Sequence, residues 1–320
     1  MKGERAGTAG GRWKSRGRAM GSLRAGSILT GFAGLTLPLM PVQAGLVRFA
    51  PRLARQLPHW YHRRVCRLFG IRLEIEGAVA SDRPALLVAN HTSWLDIPVL
   101  SSVAPVSFVA KKEVGTWPGV SALARLQRTV FVDRERRSAV GETAGEIMMR
   151  LASGDTIVLF AEGTSSDGNR VLPFRTSLFA AAKPSAGATP ANTDVSSVLA
   201  RAVVQTVSIA YTRLHGVPLG RADRPIVGWY GDMDLPPHAW ELLKAGPLDA
   251  RILVGPPVPL NDFADRKALA RHSEDEVRAN VVRALRGLEP DAPVAPTRPA
   301  ADPAASRRRS GDAARAGRMV

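Results

Sequence analysis

The segment Ala85-Leu86-Leu87-Val88-Ala89-Asn90-His91-Thr92-Ser93-Trp94-Leu95-Asp96 sets the architecture of this chain. Five apolar residues without alternation read as a strand buried on both faces, as in a parallel sheet covered by helices. The run stops at a polar turn, and in such folds ligands collect beyond the carboxyl ends of the strands. An imidazole and a carboxylate stand there, His91 and Asp96. On one continuous helix, residues five apart lie about 140° from each other and do not meet. With His91 in the turn after the strand and Asp96 in the first turn of the next helix, Ser93 serving as its cap, the side chains do meet. Asp96 then fixes the tautomer of His91 and leaves the other ring nitrogen free to take a proton from a hydroxyl. Taken alone, the pair is first of all a strand-end histidine satisfied by a helix-start aspartate.

Outward from this turn, short apolar runs alternate with helical patterns. Strands are expected at Arg72 to Ile75, Ala85 to Ala89, Val106 to Ala110, Thr129 to Val132, Thr156 to Phe160, Val204 to Ala210 and Arg251 to Val254. Seven strands and their helices predict an α/β fold with a single mostly parallel sheet. Ser138 is a cap for a helix whose Val140, Ala144, Ile147 and Leu151 share a face and which Gly154 ends. A capping box, Ser273 to Glu276, predicts the start of the last helix, with Val277, Val281 and Ala284 inward and Gly287 closing it. The Ala-, Pro- and Thr-rich stretch Lys183 to Asp194 reads as an inserted surface loop.

The chain has 320 residues, 45% of them hydrophobic, enough for a sizeable core. Its formal net charge of +16, from 44 Lys and Arg against 28 Asp and Glu, points to polyanionic partners. Cys66 is the single cysteine, which excludes an internal disulfide and a cysteine-rich zinc site and favours a reducing, cytosol-facing location. Residues 1–24 read as a disordered basic tail. From Ala25 to Val47 no residue is charged. That length suits a membrane crossing, yet its glycines, Pro38, Pro41 and Gln43 suit a re-entrant or shallow segment equally. Val42-Gln43-Ala44 also imitates a leader cleavage site, although the arginines from Arg48 to Arg72 weigh against cleavage and place this flank in the cytoplasm. Pro58 opens and Gly70 closes a basic amphipathic helix with Tyr61, Val65, Leu68 and Phe69 on one face. The expected domains are thus 1–24, a membrane-associated segment 25–70, a catalytic domain 71–288 and a disordered basic tail 289–320.

Two more strand ends carry chemistry. Val130-Phe131-Val132-Asp133-Arg134 ends in a guanidinium suited to an anionic head group, with a solvated charge run as the plain alternative. Phe160-Ala161-Glu162-Gly163-Thr164 places a carboxylate and a glycine after another strand, where Glu162 suits an acceptor hydroxyl and Gly163 a close backbone approach.

With these segments in order, the chain over roughly Ile71 to Pro259 resembles the glycerolipid acyltransferase family, and in particular its bacterial 1-acyl-glycerol-3-phosphate acyltransferases. Asn90 to Asp96 matches the family's first block; Phe131, Val132 and Arg134 resemble its second; Glu162-Gly163-Thr164 resembles its third. The resemblance implies that His91 and Asp96 are catalytic and that Arg134, Glu162, Gly163 and Thr164 bind the acceptor. It implies an acyl-CoA or acyl-carrier-protein donor, no tightly bound cofactor and no metal. The chain departs from the pattern at Ala161, at Ser165 where the family has arginine, and at Thr206 where it has proline. The loss of that cation leaves Arg170 and Arg175 as candidate head-group contacts. Trp229 to Asp234 resembles a stretch of bacterial members that include acyltransferases of lyso-ornithine lipid.

The expected function is transfer of a fatty acyl group to the free hydroxyl of 1-acyl-sn-glycerol-3-phosphate in phospholipid synthesis. Lyso-ornithine lipid is the alternative acceptor, favoured by Ser165 because that lipid carries no phosphate. A non-catalytic basic protein on membrane or nucleic acid is the remote alternative, and a serine hydrolase lacks its Gly-x-Ser-x-Gly elbow. Expected partners are anionic membrane lipids, the thioester donor and a lysolipid, without nucleic acid, at the inner membrane with the catalytic domain facing the cytoplasm.

Overall fold

The computed structural model describes residues 8–132, 137–181 and 201–288. Arg134, the stretch Lys183 to Asp194 and the segment 289–320 lie outside the described residues. All seven expected strands are present: β1 (Ile71–Glu76), β2 (Ala85–Ala89), β3 (Val106–Lys111), β4 (Val130–Val132), β5 (Thr156–Phe160), β6 (Val203–Leu214) and β8 (Leu248–Val254). Two short strands, β7 (Val217–Pro218) and β9 (Val258–Pro259), pair with β6. The sheet order is β1-β8-β6-β2-β5-β3-β4, and only the pairings of β6 with β7, β8 and β9 are antiparallel.

The unbroken apolar runs are explained by helices on both faces. On β2, Ala85, Leu87 and Ala89 face one core cluster, whereas Leu86 and Val88 face another. On β5, Val158 and Phe160 join the first cluster and Ile157 and Leu159 the second. The first is shared with α1 (Thr8–Phe49), α2 (Pro51–Phe69), α3 (Asp96–Val103) and α6 (Leu235–Ala245). The second is shared with α5 (Arg137–Ala152) and α7 (Arg266–Leu285). A short helix, α4 (Val120–Leu126), precedes β4.

The amino-terminal part departs from expectation in two places. Helix starts at Thr8 and runs through Arg24, so the basic segment is not a tail separate from the uncharged span. Arg24 donates to the carbonyls of Leu243 and Phe69, which anchors α1 on the domain. α2 begins at Pro51, not at Pro58, because Pro51 already occupies the first helical turn, where its missing N–H costs nothing. Pro58 is buried inside α2 and leaves the carbonyl of Ala54 without its helical donor. Gln43 Nε2 of α1 donates to that carbonyl at 2.9 Å and to the carbonyl of Leu126 at 2.9 Å, so a polar residue in the uncharged span completes its neighbour's hydrogen bonding. Gly70 does close α2, in a left-handed conformation at φ 77°. Within α1, Ala19–Phe49 is long and apolar enough to cross a membrane, and Leu23, Leu37 and Phe49 are exposed.

At the carboxyl end, α7 begins at Arg266 behind an Asp265 cap whose carboxylate accepts from the N–H of Lys267 and Ala268. Ser273 lies in the helix interior with no exposure, so the Ser273–Glu276 pattern is not a capping box. Ile147 and Leu151 of α5 are buried as expected, and Gly154 follows its end.

Candidate active site

The polar turn after β2 is held by its own first residue. Asn90 Nδ2 donates to the carbonyl of Ile209, and its Oδ1 accepts from the N–H of Ile209, at 2.9 and 2.8 Å. The amide side chain thereby extends the β2–β6 ladder past the last strand residue, and the backbone is free to turn at His91. Strand alternation carries His91 to the face of Ala89, where its ring stacks on Phe160 with centroids 4.1 Å apart.

His91 Nδ1 and Asp96 Oδ2 are 2.7 Å apart. A buried carboxylate in this position is an acceptor, so Nδ1 carries the proton and Nε2 carries the lone pair. Asp96 has no exposed side-chain surface, while the His91 side chain retains 19%. Asp96 Oδ2 also accepts from the backbone N–H of Thr92 at 2.7 Å and of Ser93 at 3.0 Å. The direction of capping is therefore the reverse of the expected one. Ser93 does not cap α3 with its hydroxyl; Asp96 reaches back to tie the turn. Asp96 Oδ1 accepts from the hydroxyl of Tyr211 at 2.7 Å.

Glu162 is tied to the backbone around the turn. It is 2% exposed, its Oε1 accepts from the N–H of His91 at 2.8 Å and its Oε2 from the N–H of Leu172 at 2.8 Å. Both oxygens are committed to backbone, so the side chain fastens the His91 turn to the loop after β5. Burial pushes its carboxyl up to about 8, with the charges of Asp96 and Glu274 adding to the rise and the two backbone N–H groups opposing it. Gly163 sits at φ 73° in the turn, a conformation that costs most side chains energy. Thr164 is exposed. Ser166 N–H donates to the carbonyl of His91 at 3.0 Å, a second tie between the loops.

Ser165 and the Trp229 segment belong together. Ser165 Oγ donates to the carbonyl of Trp229, Trp229 N–H donates to the carbonyl of Thr92 at 2.9 Å, and its indole donates to the carbonyl of Met233 at 2.8 Å. The stretch Trp229 to Asp234 is thus a strap on the His91 turn, and the residue standing in place of the family's arginine is one of its fastenings. Arg170 reaches a narrow cleft of about 10 Å³ beside Asn90, Thr92, Tyr211 and Arg224. Arg175 is exposed and meets the turn through its backbone, its N–H donating to the carbonyl of Ala161 at 2.8 Å.

Tyr211 is the site residue that sequence patterns leave out. The apolar run of β6 fades at Ala210, but the strand continues to Leu214. Its alternation was the available signal: Val207, Ile209 and Tyr211 share the face of Ala89 and Phe160.

This geometry is matched by sequence comparison. Residues 70–210 fit the family model described as Acyltransferase. The lyso-ornithine lipid O-acyltransferase of Brucella abortus is 46% identical over 270 residues, covering 84% of this chain and 98% of that one. The chain belongs to the glycerolipid acyltransferase family. Among its other relatives, the lyso-ornithine lipid O-acyltransferase of Rhizobium meliloti is 43% identical, covering 79% of this chain and 84% of that one. The 1-acyl-sn-glycerol-3-phosphate acyltransferase of Neisseria meningitidis is 31% identical, covering 68% and 78%. The fold is that of the crystal structure of the 1-acyl-sn-glycerophosphate acyltransferase PlsC from Thermotoga maritima, with a TM-score of 0.57, 22% identity, and coverage of 87% of this chain and 99% of that one. Of these relatives, the lyso-ornithine lipid O-acyltransferases are the more similar, at 46% and 43% identity against 31% for the 1-acyl-sn-glycerol-3-phosphate acyltransferase.

Proposed function

We propose that the protein transfers an acyl group from a thioester to the free hydroxyl of lyso-ornithine lipid. The observation that carries this reading is Ser165: a hydroxyl fastened to the Trp229 carbonyl occupies the position where phosphate-binding relatives have a cation. The acceptor lipid has a carboxylate and an ammonium in its head group but no phosphate, so loss of that cation is tolerable. The high identity to the two ornithine-lipid enzymes supports the same choice.

In this mechanism His91 Nε2 takes the proton of the acceptor hydroxyl as its oxygen attacks the thioester carbonyl. The tetrahedral intermediate then collapses, expelling a thiolate that takes the proton back from the imidazolium. Asp96 stabilises the imidazolium through Nδ1. Arg134, Arg170 and Arg175 are the cations available for the acceptor carboxylate. The donor is an acyl-CoA or acyl carrier protein, both anionic and suited to a chain of net charge +16. α1 and the exposed arginines Arg63, Arg64 and Arg67 of α2 hold the domain at the cytoplasmic face of the inner membrane.

The test offers purified enzyme lyso-ornithine lipid and lysophosphatidate in parallel, with His91→Ala as the control. Turnover of lyso-ornithine lipid in strong preference, abolished in His91→Ala, is expected. Preference for lysophosphatidate overturns the acceptor assignment; full activity in His91→Ala overturns the mechanism.

A further inference from the structure

Asp96 shares its two oxygens unequally. Oδ2, the one that meets the imidazole, also accepts both backbone N–H groups of the turn, whereas Oδ1 accepts from Tyr211. Tyr211 is 4% exposed and comes from β6, on the far side of β2 from Phe160. We infer that Tyr211 is a positioning residue that holds Asp96 and sets the basicity of His91 through it. This inference rests on the assignment of His91 as the base.

The argument is electrostatic. A hydrogen bond donated to one carboxylate oxygen draws negative charge toward that oxygen and away from the other. With the phenol in place, Oδ2 stabilises a protonated His91 less than an unencumbered aspartate does. The base then stays neutral, and ready to accept a proton, to lower pH. The phenol remains a donor throughout, because burial and the Asp96 charge hold it well above its ordinary value. Among the described residues, the charged and titratable groups near this assembly are Asp96 from α3, Glu162 from the loop after β5, Glu274 from α7 acting on Glu162, Cys66 from α2 beside the phenol, and Arg170 and Arg224, which line the cleft that Tyr211 also lines. Glu162 adds little charge at neutral pH, since its carboxyl is pushed up to about 8. Of these groups the Tyr211 hydroxyl is the one bonded to the free oxygen of Asp96, so the tuning is assigned to it.

The experiment measures kcat/KM against pH for the full chain with lysolipid and acyl thioester, in wild type, Tyr211→Phe and His91→Ala, with thermal unfolding of each. In Tyr211→Phe the acidic limb is expected to move up by about half a unit to one unit, with less than about tenfold loss on the plateau. A purely structural phenol would lower the unfolding temperature and leave the limb where it was. Incorporation of 3-fluorotyrosine at position 211 alone, a near-isosteric and stronger donor, is expected to move the limb down, and it settles the matter if Tyr211→Phe does not fold. An unmoved limb in either protein, with His91→Ala inactive, overturns the role of Tyr211 and leaves the base assignment standing. Full activity in His91→Ala overturns both.

Discussion

Replacing Glu162 by glutamine removes a titratable group from the centre of the site while keeping its shape. In the native protein its two oxygens accept the N–H of His91 and of Leu172, each at 2.8 Å. Glutamine offers one acceptor and one donor, so one buried N–H loses its partner, at a cost of about 1–3 kcal/mol. Ionisation works the other way. The carboxyl rises from 4.5 to about 8 on folding, so the folded state holds the proton more tightly than the unfolded chain. Its contribution to stability is fully present below 4.5 and is lost as pH rises toward 8. At about 1.4 kcal/mol per unit, the whole interval is worth on the order of 5 kcal/mol.

The two effects cross. At pH 5, Glu162→Gln is expected to unfold below the wild type, because the lost hydrogen bond dominates. By pH 8 it is expected to unfold above the wild type, because from 4.5 upward the unfolded wild-type chain gains the free energy of ionising this carboxyl while the folded state keeps it protonated until about 8. The assay is thermal unfolding of the two purified full-length proteins from pH 5 to pH 8 at fixed ionic strength, read as the difference between them so that other groups cancel. A difference independent of pH would refute the reasoning, and so would one that grows in favour of the wild type with rising pH.

Two other substitutions separate charge from packing. Asp96→Asn keeps an acceptor for His91 and the turn amides and can donate to the Tyr211 oxygen, so the unfolding temperature should change by only a few degrees. Acyl transfer, stripped of the imidazolium's counter-charge, should fall about 10²-fold or more. Asp96→Ala, which leaves the His91, Thr92, Ser93 and Tyr211 donors without an acceptor, should cost about 3–5 kcal/mol of stability. His62 of α2 meets Ser101 Oγ at 2.9 Å, and burial pushes its imidazole down to about 3. Its contribution is therefore present above 6.5 and lost as pH falls toward 3. Because the ring is partly exposed, about 1–2 kcal/mol is expected. His62→Gln should flatten the acid side of a stability profile; an unchanged profile would count against burial as the cause.

Much of this was legible in the sequence because burial on both faces leaves an unmistakable mark. Ala85–Ala89 and Thr156–Phe160 read as strands with their observed bounds, since all of the first and all of the second after Thr156 is apolar and buried on both faces. His91 and Asp96 were legible because a strand-to-helix turn brings residues five apart together. Boundaries failed where a helix is completed by another element. Pro58 stays inside α2 because Gln43 supplies the missing donor to Ala54, a bond between elements that no local pattern encodes. Glu162 was legible as a carboxylate at a strand end; that it also ties the His91 turn to the Leu172 loop depends on two backbone donors distant in sequence, which no local pattern encodes. Tyr211 went unread because β6 outlasts its apolar run.

The ties around His91 divide the site into a fixed part and an adjustable one. Every backbone group that sets the imidazole is spoken for: His91 N–H by Glu162, the His91 carbonyl by Ser166, the Thr92 carbonyl by Trp229, and the N–H groups of Thr92 and Ser93 by Asp96. A shift of the base would break several of these bonds together, so its position is determined by the fold and not by the acceptor. Asp96 opens α3, whereas the other partners, Glu162, Ser166 and Trp229, lie on loops, 162–172 and 228–234, and loops accept substitution without disturbing the sheet. Ser165 lies on the first of these loops, and its hydroxyl holds the strap to it. Substitution at the strap is therefore expected to alter the surroundings of His91 without moving the imidazole.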